Sequence, residues 1–149
     1  MPGLLSWRST VVREYRPAGA EVALLIDFPW LVRGVESGVD CEGLFRFAGE
    51  RGKVVAANAY ADWDADDLSG HRAALRGLGV EAVQVPGRSD PKREVCMRMA
   101  IDAVDLMWTA PQVGVYVVVA ADGRLFPALN ALRRGGRKVV GMWPAGRWS

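Results

Sequence analysis

The 149-residue sequence predicts an α/β protein, a three-layer α/β/α sandwich around a mostly parallel five-stranded sheet. Three observations predict it. From Glu21 onward, strand-like apolar runs alternate with helix-like amphipathic segments, the pattern of a parallel sheet covered on both faces. Two of the runs, Val22 to Ile26 and Val115 to Ala121, are apolar throughout their length, as a buried strand is. Each stops at an aspartate, Asp27 and Asp122. An ionised carboxylate there needs a partner or a cation, and the carboxyl ends of strands are where open α/β sheets bind ligands.

The elements follow in chain order. Residues 1–19 show no clear period and read as an N-terminal extension, with Val11-Val12 as a short edge strand and Pro17-Ala18-Gly19 as a linker into a domain of residues 20–149. Val22 to Ile26 is the first strand, broken by Phe28-Pro29-Trp30. A helix is predicted over Asp40–Gly49, with Leu44, Phe45, Phe47 and Ala48 on its apolar side, followed by a strand over Lys53–Tyr60. Acids in its first turn open a helix from Asp66 to Leu78, and Gly79 stops it. Val80 to Val85 is the third strand, ended by Pro86-Gly87.

Pro91 to Trp108 is the clearest helix, with proline in its opening turn and Pro111 beyond its end. Glu94, Arg98, Asp102 and Asp105 share one face; Cys96, Ala100, Ala103 and Met107 make another, which should lie on the sheet. After it come the long strand to Ala121, a helix over Leu125–Arg134, a Gly135-Gly136 stop, and a last strand over Arg137–Met142. Right-handed crossovers place the first strand centrally, strands two and three to one side and strands four and five to the other. Asp27 and Asp122 then stand side by side where the strand order reverses.

Composition excludes several classes of function. Half the residues are apolar, enough for a sizeable core, and the net charge of +2 argues no nucleic-acid binding by itself. The basic clusters Lys92-Arg93, Arg133-Arg134 and Arg137-Lys138 read first as solvated surface. The apolar stretch Val113 to Ala121 is far short of a bilayer span, and the N-terminus lacks a secretory pattern, so a cytoplasmic location and no membrane partner are expected. Cys41 and Cys96 are expected reduced and buried. A lone His71, expected at the surface, leaves little material for a Ser-His-Asp or Cys-His triad. There is no Cys/His cluster for zinc, no GxGxxG after the first strand and no Walker A sequence.

Two carboxylates in one crevice repel each other and invite a hard divalent cation, Mg2+ or Mn2+. Sites of that kind hydrolyse phosphodiesters, usually with three or four acids. The plainer reading of each acid is a cap or turn residue, strongest for Asp122-Gly123.

Leu25-Ile26-Asp27, Ala59-Tyr60-Ala61-Asp62-Trp63, Lys92 through Asp102-Ala103, Ala120 to Leu129 and Leu132 to Val139 together resemble the NYN domain family, a branch of the PIN-like metal-dependent ribonucleases. The resemblance implies RNA as partner, Mg2+ or Mn2+ as cofactor, Asp27 and Asp122 as metal ligands, and Asp102 as a further catalytic acid. Three positions depart from it: Trp30 stands where the family commonly has asparagine, Cys96 where a helix normally begins with aspartate, and Arg124 at the second aspartate of the fourth-strand motif. Asp102 cannot simply replace the acid lost at Cys96. Six residues along a helix carry it about 9 Å and about 240° around the axis. The stronger reading makes it part of a Glu94–Arg98–Asp102 ion ladder.

Two functions follow. One is a ribonuclease-like protein whose metal centre is weakened or lost, with Lys92, Arg93 and Arg124 on the phosphate backbone. The other is an inactive RNA-binding or protein-interaction module, in which Trp30 stacks a base or fills the emptied pocket. Arg124 itself could pair with an acid and take over the neutralising role of the cation. Six tryptophans, Trp143 and Trp148 among them, leave room for a protein partner, and the edge beyond the fifth strand for a homo-oligomer contact.

Overall fold

The computed structural model describes residues 7–11, 20–34 and 40–144. Its strands are β1 (Trp7–Val11), β2 (Glu21–Asp27), β3 (Lys53–Ala61), β4 (Glu81–Gln84), β5 (Val113–Val119) and β6 (Lys138–Pro144). Its helices are α1 (Phe28–Arg33), α2 (Cys41–Gly49), α3 (Asp66–Ser69), α4 (Arg72–Gly77), α5 (Pro91–Thr109) and α6 (Phe126–Arg134), with a short 3-10 turn, Gly123–Leu125, before α6. The sheet order is β1-β6-β5-β2-β3-β4. Strands β2 to β6 are mutually parallel, and β1 joins antiparallel at the β6 edge, Val11 opposite Val140. The order reverses between β2 and β5, in agreement with the order expected from the sequence.

Alternation along each strand splits the core in two. Val22, Leu24 and Ile26 of β2 face a layer built on Phe28, Leu31, Leu44, Leu68 and Leu75, from α1 to α4. Ala23 and Leu25 face the other layer, with Val95, Cys96, Met99 and Ala103 of α5 and Leu132 of α6. All seven residues of β5 are buried, as expected for a central strand with helices on both sides. Gly136, at φ +83°, takes the left-handed conformation after α6, and Arg137 N–H then donates back to Leu132 O at 2.9 Å.

The structure corrects the sequence reading at several points. Phe28-Pro29-Trp30 does not merely break the strand; it opens the helix α1. The helix predicted over Asp66–Leu78 is two short ones, separated at Gly70-His71. His71 is half-buried, its ring edge-on to Phe28 at 5.2 Å, not a plain surface residue. The Arg137-Lys138 pair is not a solvated patch. Lys138 is buried, and Arg137 donates from Nε to Val113 O (3.3 Å) and from Nη2 to Pro111 O (3.2 Å), tying the β5 approach to the β6 start. The edge left open for an oligomer contact is occupied by β1, which satisfies backbone groups that an exposed edge would present unpaired. Val12, the Pro17-Ala18-Gly19 linker and Trp148 lie outside the described residues. Cys96 is buried and Cys41 half-buried, and neither forms a disulfide.

Candidate nucleic-acid interface at the sheet switch point

A cavity of about 500 Å³ opens at the carboxyl ends of β2 and β5, and both aspartates line it. Asp27 ends β2 and caps α1: Trp30 N–H donates to its Oδ1 at 3.2 Å. Pro29 in the first turn needs no hydrogen-bond acceptor for its nitrogen, so strand passes to helix without a loop. That geometry brings Trp30, Arg33 and Gly34 onto the cavity wall. Trp30 is half-buried, packed on the core layer beside α1 while bordering the cavity. The opposite wall is the start of α5, with Pro91, Lys92 and Val95. Asp90 caps that helix, accepting from Arg93 N–H at 3.1 Å.

Asp122 caps the 3-10 turn, accepting from Arg124 N–H at 2.9 Å. Its side chain is also gripped by the Arg124 guanidinium. Nε donates at 3.0 and 3.1 Å to its two oxygens, and Nη2 donates to Oδ2 at 2.7 Å. Arg124 reaches Asp90 as well, at 3.6 Å, and so joins the β5 end to the α5 start. These contacts hold the Asp122 carboxyl below its usual range. Asp27 is driven the other way. Burial, reinforced by the Asp122 charge and opposed by the Trp30 N–H and Lys92, lifts it to about 6. Beside them the Cys96 thiol is pushed up to about 11 by burial and then by Asp122, so it stays protonated.

These donors do not fit a hard divalent cation. Such a cation wants several ionised oxygens with free lone pairs. Asp122 has both oxygens committed to Arg124, Asp27 spends its Oδ1 on the Trp30 N–H, and Cys96 is a neutral thiol, a poor magnesium ligand in any state. Among the described residues, no group of three or more His, Cys, Asp or Glu is arranged to hold a metal.

Asp102 lies outside this cavity. Ten residues beyond Lys92 on α5, it sits about 15 Å along the helix. It accepts from Tyr60 Oη at 2.8 Å and from Arg98 Nε at 3.1 Å, while Asn58 Nδ2 donates to Tyr60 Oη at 3.1 Å. Its partners make it a structural anchor between α5 and β3. Arg93 is exposed and does not line the cavity. Sequence reasoning missed Arg33, which lines the cavity while held by Asp67 at 2.8 Å, and Asp90. The signal for Arg33 was present. Asp followed by proline two residues on is a helix-start pattern, and Trp30 and Arg33, three apart, are neighbours on one face once α1 is recognised.

A strand-order reversal, a crevice at the strand ends and two aspartates lining it define an open α/β domain with a switch-point site. The model of the NYN domain family matches residues 21–147, and the chain belongs to that family. A protein of unknown function from Vibrio parahaemolyticus RIMD 2210633 has a similar crystal structure, with a TM-score of 0.67 at 23% identity over 81% of this chain and 79% of that one. No curated protein matches. Among the described residues, no helix is long and apolar enough to cross a membrane.

Proposed function

We propose that this NYN domain binds single-stranded RNA at the switch-point cavity without a metal ion and without cleaving it. The observation that carries this reading is the grip of Arg124 on both oxygens of Asp122. A guanidinium is permanently charged and its fork matches a carboxylate, so it neutralises the acid and takes the lone pairs that a cation would need. What the cavity offers a ligand is the Lys92 ammonium and the Trp30 ring. A cation beside an aromatic face is the combination that holds single-stranded RNA, the one on phosphate and the other stacked on a base.

The experiment compares retention of a single-stranded RNA oligomer in Mn2+ and in EDTA, with cleavage followed on the same gel. Equal retention in both, with intact RNA, is expected. Lys92→Ala and Trp30→Ala should each weaken binding about tenfold, in line with the ~1–3 kcal/mol of a stacked base, while Asp102→Asn leaves it unchanged. Cleavage that requires Mn2+ and disappears in Asp27→Asn and Asp122→Asn would establish a metal-dependent ribonuclease instead. Calorimetric Mn2+ binding tighter than tens of micromolar, lost in Asp27→Asn, would show that Arg124 does not stand in for the cation.

A further inference from the structure

The helix α5 is apolar on two sides. Val95, Cys96, Met99 and Ala103 are buried on the sheet, yet Met97, Ile101 and Trp108 on its outward side are 53%, 61% and 80% exposed. With half-buried Val104 these residues recur at steps of four, three and four, the spacing of a coiled-coil seam. In heptad terms Met97 and Val104 are d positions, and Ile101 and Trp108 are a positions. The e positions beside them are Arg98 and Asp105, of opposite charge; the g positions, Ala100 and Met107, are uncharged.

We propose that this face pairs with the same face of a second copy of the chain, the two α5 helices running antiparallel. The charge pattern selects both the occupant and the direction. In a parallel pair e meets g, and here no ion pair results. In an antiparallel pair e meets e, so Arg98 meets Asp105 of the partner subunit, and the two-fold axis repeats the contact. The same register sets Met97 against Trp108 of the partner subunit and Ile101 against Val104 of the partner subunit. Arg98 is equipped for this, because both its bonds to Asp102 come from Nε and its terminal amino groups remain as donors. The seam spans about 17 Å of helix. A standard interface takes about 800 Å² from each partner, a tenth of this chain's 8001 Å². A single short seam supplies less than that, so the dimer forms reversibly at micromolar concentrations. Antiparallel pairing sends the starts of the two α5 helices, and so the two cavities, to opposite ends of the dimer.

Sedimentation velocity on the full chain, from about 1 µM to about 500 µM, tests this. A reversible shift from monomer to dimer is expected. Ile101→Glu should stay monomeric throughout, with an unchanged circular dichroism spectrum, because the side chain is exposed. Arg98→Asp and Asp105→Arg should each weaken the dimer about tenfold or more, and the double exchange should restore it. A chain that is monomeric at every concentration overturns the proposal and leaves the face to a different protein. A dimer indifferent to Ile101→Glu, or a double exchange that restores nothing, overturns it equally.

Discussion

Asp27 caps α1 and borders the cavity with the same carboxyl group. Burial lifts its pKa from 3.8 to about 6. Across that window the folded chain binds more protons than the unfolded one, so this residue's contribution to stability falls as pH rises and levels off above the upper value. Asparagine caps a helix about as well and never ionises. Asp27→Asn should therefore match the parent below about pH 3 and exceed it by about 3 kcal/mol above pH 7. Urea unfolding across the range measures the gap, and one that fails to widen with pH would show that the carboxylate is not penalised by burial. Asp122 works in the opposite sense. Arg124 lowers its pKa, so its contribution is present above the unfolded value and is lost as pH falls through the folded one.

Helices with both a cap and a clear apolar face were legible as elements. The prediction of Asp40–Gly49 agrees with α2, where Asp40 accepts from Gly43 N–H at 2.9 Å. Asp40→Ala should cost about 1 kcal/mol and Asp40→Asn little, checked by the denaturation midpoint. Pro91–Trp108 likewise matches α5 to within one residue. The short α1 was harder to read. Six residues give less than two turns of periodicity, and Phe28 and Leu31 are buried because they pack with distant residues such as Trp63 and Leu68 on one face of the sheet, not because a long stripe recurs. The break falls at Gly70, a poor helix former that caps the first short helix. A continuous helix is what the acids at its start and the Gly79 stop suggest; past the break, His71 packs edge-on against Phe28.

At the scale of the whole molecule, the cavity exists because the chain reverses strand order between β2 and β5 and crosses back through α5. Proline, glycine and apolar spacing marked the strands and helices, and crossover handedness narrowed the possible strand orders to a few, this reversal among them. The sixth strand was only half visible: Val11-Val12 hinted at an edge strand, but the pairing of Trp7–Val11 with β6 joins segments from opposite ends of the chain. If RNA lies across the α5 start, its affinity should fall with salt by about 0.7 log units per log unit of salt for each phosphate neutralised. Lys92→Ala should lower that slope by about 0.7, and titrations at four or five salt concentrations would reveal it. An unchanged slope would place the phosphates elsewhere on the surface.

By itself the sequence determined the parallel sheet, its switch point and the two aspartates at the strand ends, since these rest on alternation, breaker residues and crossover handedness. Only the tertiary structure decided what those acids bind. Arg124 could have pointed outward from its turn; Asp90, brought alongside by the α5 start, gives it a second acid and holds it over Asp122. Asp102 could have stayed in the surface ladder alone; Tyr60, 42 positions earlier on β3, donates to it and ties α5 to the sheet. Backbone pattern is local and survives in one dimension, whereas a side chain's partner depends on which distant surfaces the crossovers bring within hydrogen-bond reach.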